Sequence, residues 1–351
     1  MSQEASAIED LGEGSPAGRG AASAARGRVR AGCLVVLPYA VTVLVLVTIN
    51  FAVPRAMPGD PITTMVASSE TAEADTDVAE ELRRYYGLDR PITAQYGSYL
   101  AGLVQGDLGT SIRYNTPVAE LIAARLPWTL LLIGTAMLAA TVVGLLAGAH
   151  SGWRRGRSVD RRLLLVFLGA RNIPPFVLAS LAAFVFAVRL GWAPLGGAIT
   201  AFGEPAGALA GAVDIAHHLA LPAGVLAVQF AAGHYLFMRA GMVSQLGASY
   251  LLLGRAKGLG ERPLKYRHAA RNAVLPVVTL AALQLSFAIT GSIFVETVFA
   301  YPGMGRLVFD AVGFRDYPLL QGCFLLFSLA VVGFNLATDL LYRRLDPRVR
   351  Q

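Results

Sequence analysis

Six apolar stretches, about residues 31–53, 127–149, 163–188, 219–238, 275–298 and 319–342, constrain what this chain can fold into more than any other feature. Each is long enough to cross a hydrocarbon layer of roughly 30 Å as a helix rising about 1.5 Å per residue. The composition agrees: 55% of the residues are hydrophobic, 15% are charged and the mean hydropathy is +0.54, values of an integral membrane protein rather than a soluble domain. The fold class read from this pattern is all-α, with the bilayer as principal solvent. Several stretches contain Pro or Gly, which membrane helices tolerate where neighbours or water satisfy the freed backbone groups.

Lys and Arg near span ends are retained on the cytoplasmic side, so their distribution sets the orientation. Segments 1–30, 151–162, 239–274 and 343–351 hold 20 of the 30 basic residues; the longer alternating set, 54–126, 189–218 and 299–318, holds 9. Arg171 is left inside a span. Six spans with both termini in the cytoplasm follow. The pI near 9.6 is then a topology signal, and its spread over membrane loops removes the motive for nucleic-acid binding.

The expected organisation is a disordered cytoplasmic tail over 1–30, a first transmembrane helix over 31–53, an extracytoplasmic region over 54–126, a five-helix core over 127–342 and a cytoplasmic tail over 343–351. Arg26, Arg28 and Arg30 imitate the start of a signal peptide, but the apolar run after them is too long for one, so it reads as a retained span. Cys33 is not a lipoprotein cysteine, because its apolar region follows it. Cys33 and Cys323 fall at opposite membrane faces, too far apart for a disulfide.

The 54–126 region opens with the turn Pro58-Gly59-Asp60-Pro61 and an acidic stretch from Glu70 to Glu81. Residues 78–86 read as a short helix capped by Gly87, followed by a helix over 95–103 and the Gly-bounded loop Gly106-Asp107-Leu108-Gly109-Thr110-Ser111. Either a solvated surface or a docking platform fits that pattern. In the last external segment, turn chemistry accounts for Tyr301-Pro302-Gly303-Met304-Gly305. No catalytic set occurs: G-x-S-x-G, H-E-x-x-H and Walker A sequences are all missing. His234 reads as a buried hydrogen-bonded residue, and His217-His218 lack the spacing of a metal site. Any ATP consumed must therefore be hydrolysed by another subunit.

The 239–274 loop exceeds what two helices need, since most helix connections take roughly 2–8 residues. It carries Arg255-Ala256-Lys257-Gly258-Leu259, Arg271-Asn272 and then Leu275-Pro276. Residues 249–259 suit a short helix ended by Gly258 or Gly260, a compact charged knob for a cytosolic partner. A basic segment held on anionic lipid is the plainer alternative.

From about residue 31 to its end, the chain resembles the permeases of binding-protein-dependent ABC importers, in the oligopeptide, dipeptide and nickel branch. The resemblance rests on the ordered phrases above together with Gly87-Leu88-Asp89-Arg90-Pro91, Val295-Glu296-Thr297-Val298-Phe299, Pro302-Gly303-Met304-Gly305 and Leu345-Asp346-Pro347-Arg348. It implies a type I importer permease in the bacterial cytoplasmic membrane. The implied partners are a second homologous permease, two cytosolic ATPase domains and an extracytoplasmic solute-binding protein. ATP and magnesium would sit on the ATPases, leaving this chain without a cofactor. Tyr250, Arg255, Ala256, Lys257, Gly258 and Leu259 become the ATPase-coupling residues. Asp60, Asp89, Asp107 and Tyr301 become candidates for docking the binding protein. Peptides are the implied cargo, with nickel or metal chelates as the alternative.

Two places depart from the family pattern. Leu252-Leu253-Gly254 replaces the usual Arg-Thr-Ala, making the docking helix more apolar. Arg171-Asn172-Ile173-Pro174-Pro175 puts a cation about nine residues into the third span, roughly 14 Å deep, where it must face protein or water. Arg171 and Asn172 are thus pathway candidates selecting carboxylates, unless Arg171 pairs structurally, as with Asp339, or snorkels. Thr279, Ser286 and Thr290 draw a polar stripe on the fifth span, lining the pathway or joining helices. An ion-coupled secondary transporter is the rival of another class, but its usual intramembrane carboxylates and internal repeats are not evident.

Overall fold

The computed structural model describes residues 41–63, 76–201, 203 and 207–345. Two compact units divide the chain, Met1–Ile49 and Asn50–Gln351. The expected tail over 1–30, residues 346–351 of the expected tail over 343–351, the start of the first span and Cys33 lie outside the described residues. Regular structure among the described residues is helical, apart from an isolated bridge between Thr110 and Pro117.

Helix α1, Val41–Ala56, ends the first apolar run. In the 54–126 region, α2 (Thr76–Tyr85) and α3 (Ile92–Gln105) stand where helices are expected. Gly87 at φ +64° and Gly106 at φ +77° take the left-handed conformation that ends each one.

Helices α4 (Val118–Trp153, 36 residues) and α7 (Ala208–Gln245, 38 residues) are the two described helices that are each long and apolar enough to cross a membrane. Both outrun their apolar windows, because hydropathy marks only the part at bilayer depth while the helices continue through polar turns. They make the most extensive helix pair. Gly144, Gly148 and Gly152, four residues apart, form the α4 side of the contact. A Cβ at these glycines would lie 2.5, 2.7 and 2.6 Å from the Cβ atoms of His234, Met238 and Met242. Such small-residue spacing lets helix backbones approach closely where no hydrophobic force drives them together.

The third apolar run is broken by a bend much sharper than a kink. Helix α5 (Ser158–Asn172) and α6 (Pro175–Ala182), the latter continued by a π-helical turn over Ala183–Arg189, meet at 101°. Two successive prolines explain the size of the bend. Each forces the residue before it out of the helical region, so Ile173 (ψ 123°) and Pro174 (ψ 139°) are both extended. Gln229 of α7 donates its amide to the half-buried Ile173 carbonyl, which the bend leaves without a helical partner, at 2.9 Å.

After the short helix α8 (Ser249–Ala256), a wound segment over Glu261–Pro263, Leu264–Ala269 and Ala270–Ala273 leads into α9 (Leu275–Val298). Helices α10 (Met304–Phe314) and α11 (Tyr317–Leu345) complete the chain. A central core joins Leu132, Leu226, Val295, Phe299 and Tyr301; another gathers Met238, Met242, Leu251, Leu264 and Val277 beneath α8. Leu130, Leu138, Leu146, Leu165, Phe184 and Phe294 are exposed on the isolated chain. In water that apolar area would be costly, at about 25 cal/mol per Å². In a bilayer, whose tails are as apolar as leucine, that cost does not arise.

Candidate functional site

Helix α8 is half anchored and half presented. Leu251 and Gly254 are buried, and a Cβ at Gly254 would meet the Leu264 side-chain methyl at 2.5 Å, so glycine lets the helix sit here without shifting that side chain. Tyr250 donates its hydroxyl to Gln245 at 2.8 Å. The opposite face carries Leu252 and Leu253, 70% and 56% exposed, with Arg255, Ala256 and Lys257. Gly258 (φ +77°) ends the helix as expected: the Leu259 amide donates to the Gly254 carbonyl at 3.1 Å and the Gly258 amide to Arg255 at 2.9 Å.

The rest of the segment holds this knob in place. Trp153 Nε1 donates to Glu261 at 2.8 Å, and the Arg255 guanidinium lies 3.7 Å from the same carboxylate and 5.8 Å above the Trp153 ring. Lys265 is buried, with Nζ 2.9 Å from His150 Nδ1 and donating to Tyr266 at 3.0 Å. Burial, then the charge of Lys265 and then that of Arg154, hold His150 below its ordinary pKa.

Behind α8 lies a cluster that sequence reasoning does not reach. Asp160, 2% exposed, receives Arg239 Nε at 2.7 Å and Nη2 at 2.8 Å, the Gly156 amide at 2.9 Å and the Ser151 hydroxyl. Its ionised oxygens only accept, so Ser151 spends its proton there and receives that of Tyr235, 2.7 Å away. Arg239 chiefly, helped by Ser151 and Gly156, holds Asp160 well below the usual carboxylate range against the opposing effect of burial. Three helices, α4, α5 and α7, meet at this carboxylate.

The pathway candidates divide. Arg171 and Asn172 are exposed at the α5–α6 elbow, and Asn172 folds its amide back onto Leu168 at 2.7 Å. Arg171 has no ion-pair partner among the described residues. The side chains of Thr279, Ser286, Thr290 and Asp339 lie outside the described residues. His234 is fully buried, 3.3 Å from the Thr141 hydroxyl; His217 and His218 meet the carbonyls of Trp192 and Asp214. No metal-binding group of His, Cys, Asp and Glu forms among the described residues.

Of the docking candidates, Asp89 and Asp107 are exposed, the latter accepting the Gly109 amide at 2.8 Å. Asp60 is half buried and takes both Arg83 Nε at 2.8 Å and Nη2 at 2.6 Å, so part of its charge is already used. Tyr301 is a correction: it is fully buried, packed edge-on against Trp128 at 6.1 Å, and offers no surface to a docked protein. Burial first, then the Glu296 charge, push its phenol up to about 12.

Glu296 explains why that region is built as it is. Its carboxylate receives Thr129 Oγ1 at 2.8 Å and the amides of Gly305 and Arg306 at 2.6 and 3.1 Å, capping α10 from α9. Thr129 in turn accepts the Met304 amide at 2.7 Å. Cβ atoms at Gly303 or Gly305 would strike the carboxylate, so close approach, beyond turn chemistry alone, requires both glycines. Asp316 does similar work for α11, taking the Ser111 hydroxyl, the Arg113 amide at 3.0 Å and the Leu319 amide at 3.1 Å. Buried Cys323 is a free thiol.

Long apolar helices whose outer faces stay exposed on the isolated chain define the class, a membrane protein. Two family models match the chain: "Binding-protein-dependent transport system inner membrane component" over residues 140–351, and the N-terminal model of the same membrane component over residues 33–133. A relative from Brucella suis biovar 1 that bears a peptide permease name is 40% identical over 312 residues, 88% of this chain and 94% of the relative. The glutathione transport system permease protein GsiC of Escherichia coli (strain K12) is 38% identical over 309 residues, 88% and 95% of the two chains. The chain belongs to the family of inner-membrane permeases of binding-protein-dependent ABC importers, in its peptide branch. It is a multi-pass subunit of the bacterial cytoplasmic membrane.

Proposed function

We propose that this permease spans the membrane six times with both termini cytoplasmic, forms half of a translocation pathway with a second homologous permease, and imports peptides. Two cytosolic ATPase domains, carrying ATP and magnesium, drive it, and an extracytoplasmic solute-binding protein delivers cargo to the 54–126 region near Asp89 and Asp107. Transport is alternating access: ATPase closure moves α8, and the spans pivot to open outward. The work counts only because the docked ATPase binds the two conformations with different free energy.

The observation that carries this reading is the two-sided α8, rigidly seated through Leu251 and Gly254 while Leu252, Leu253, Arg255 and Lys257 remain presented. The peptide cargo rests on the branch of the family and the names of its relatives. Nickel or metal chelates are the alternative cargo within the branch. An ion-coupled carrier is disfavoured because Glu296 is committed to holding α10. At the elbow, Arg171 and Asn172 line the pathway, with the Thr279, Ser286 and Thr290 stripe, and favour cargo bearing a carboxylate.

Crosslinking tests the docking: Leu252→Cys joins to the ATPase subunit and Asp89→Cys to the binding protein in the assembled importer. Failure of the first adduct overturns the coupling assignment. Arg171→Ala and Arg171→Glu, at equal expression, lower uptake progressively; unchanged uptake in both removes Arg171 from the pathway.

A further inference from the structure

We propose that Asp160 and Arg239 are positioning residues of transport: they lock α5 to α7, so that movement of α8 reaches the α5–α6 elbow without loss. This rests on α8 being the coupling helix, as argued above. The lever starts at α7, whose end at Gln245 is followed within four residues by Ser249, the start of α8. Arg239 sits in the last two turns of α7 and holds Asp160, in the first turn of α5, through two parallel hydrogen bonds. Ten residues earlier on the same helix, Gln229 holds the Ile173 carbonyl at the far end of α5. The two clamps are about 15 Å apart along α7, and the points they grip about 20 Å apart along α5, at 1.5 Å per residue. One helix therefore grips the other at both ends.

The pair is also tied to α4. Ser151 joins Asp160 to Tyr235, and the Tyr235 ring stacks on Phe167 of α5 at 4.3 Å and 8°. Gly144, Gly148 and Gly152 keep α4 against the same face of α7. With four donors around one buried carboxylate, no acceptor site is left for water. A bidentate guanidinium–carboxylate pair fixes orientation as well as distance, which a single contact does not. A body held this way transmits displacement; with the clamp removed, α7 moves and α5 lags.

Spin-label distance measurement tests this in the assembled importer, with one labelled copy of this chain carrying Cys33→Ser, Ser249→Cys at the exposed start of α8 and Gly169→Cys on the open face of α5. Without nucleotide and in the ATP-trapped state, the otherwise unaltered chain gives one narrow distance that does not change. Adding Asp160→Asn splits the two states, broadens the distribution, and lowers cargo moved per ATP hydrolysed about tenfold, within the usual range of coupling between sites. Arg239→Lys, which keeps the charge and loses the fork, gives the intermediate result and serves where Asp160→Asn lowers the folded yield. A distance that changes with nucleotide before the clamp is altered, or one that stays narrow in both variants, overturns the proposal. If the Ser249 label shows no immobilisation when the ATPase is added, the coupling assignment itself fails and takes the clamp's role with it.

Discussion

Glu296 lies fully buried at the end of α9 with the Thr129 hydroxyl and the Gly305 and Arg306 amides directed at it. Removing the carboxylate strands two buried donors, Thr129 and the Gly305 amide, and the half-buried Arg306 amide, at about 1–3 kcal/mol each. Glu296→Ala therefore lowers stability by about 3 kcal/mol or more, and Glu296→Gln by about 1–2 kcal/mol, because its oxygen still serves the two amides while its nitrogen faces Thr129. Thermal unfolding of the purified permease checks the order, and equal losses would contradict it. His150 makes a pH-dependent contribution. Its folded pKa is below its ordinary value of 6.5, so the unfolded chain binds the proton more readily and stability falls as pH drops through that value. Hydrogen-exchange protection factors across residues 264–273, corrected for intrinsic exchange rates, fall from about pH 7.5 to about pH 5.5, and His150→Gln, which keeps an acceptor for Lys265, flattens the response. Asp160 acts in the same sense but in a more acidic range: its depressed pKa keeps its contribution intact above the ordinary carboxylate range, and the contribution is lost only as strong acid brings the pH down through the folded value.

Among the elements, α4 and α7 are joined by absence of side chains. Gly148→Val places new atoms within 2.7 Å of Met238 Cβ and the Tyr235 carbonyl, and overpacking of this kind costs about 1–3 kcal/mol or more. Folded yield should drop sharply, whereas Gly169→Ala, with open space around it, leaves yield unchanged. Apolar run lengths made the long helices legible, and Gly87, Gly106 and Gly258 marked helix ends through the left-handed backbone they permit. The elbow was only half legible. Pro174-Pro175 announces a break, but nothing local shows that Gln229, 56 residues away, satisfies the Ile173 carbonyl the 101° bend frees. Likewise the spacing of Gly144, Gly148 and Gly152 is visible in the sequence without naming α7 as the helix they admit. Asp160 with Arg239, and Glu296 with Thr129, join residues 79 and 167 positions apart, and no local pattern connects them.

For the molecule as a whole, the proposed function gives this chain a pathway and a lever, and membership of the binding-protein-dependent importer family implies ATPase partners in general. The exposed apolar residues of α4, α5, α6 and α9 fit the proposed half pathway, which would present one face to lipid and another to a partner permease. The same separation makes Leu252 and Leu253 the residues on which the account depends. Vesicles containing this permease with its partner permease, ATPases and binding protein provide the direct measurement: ATP-driven accumulation of a labelled dipeptide, compared between the unaltered chain and a Leu252→Asp, Leu253→Asp variant at equal incorporation. The account predicts accumulation that needs both ATP and the ATPases and falls at least about tenfold in the variant. Undiminished accumulation in the variant, or accumulation by vesicles lacking the ATPases, would contradict it.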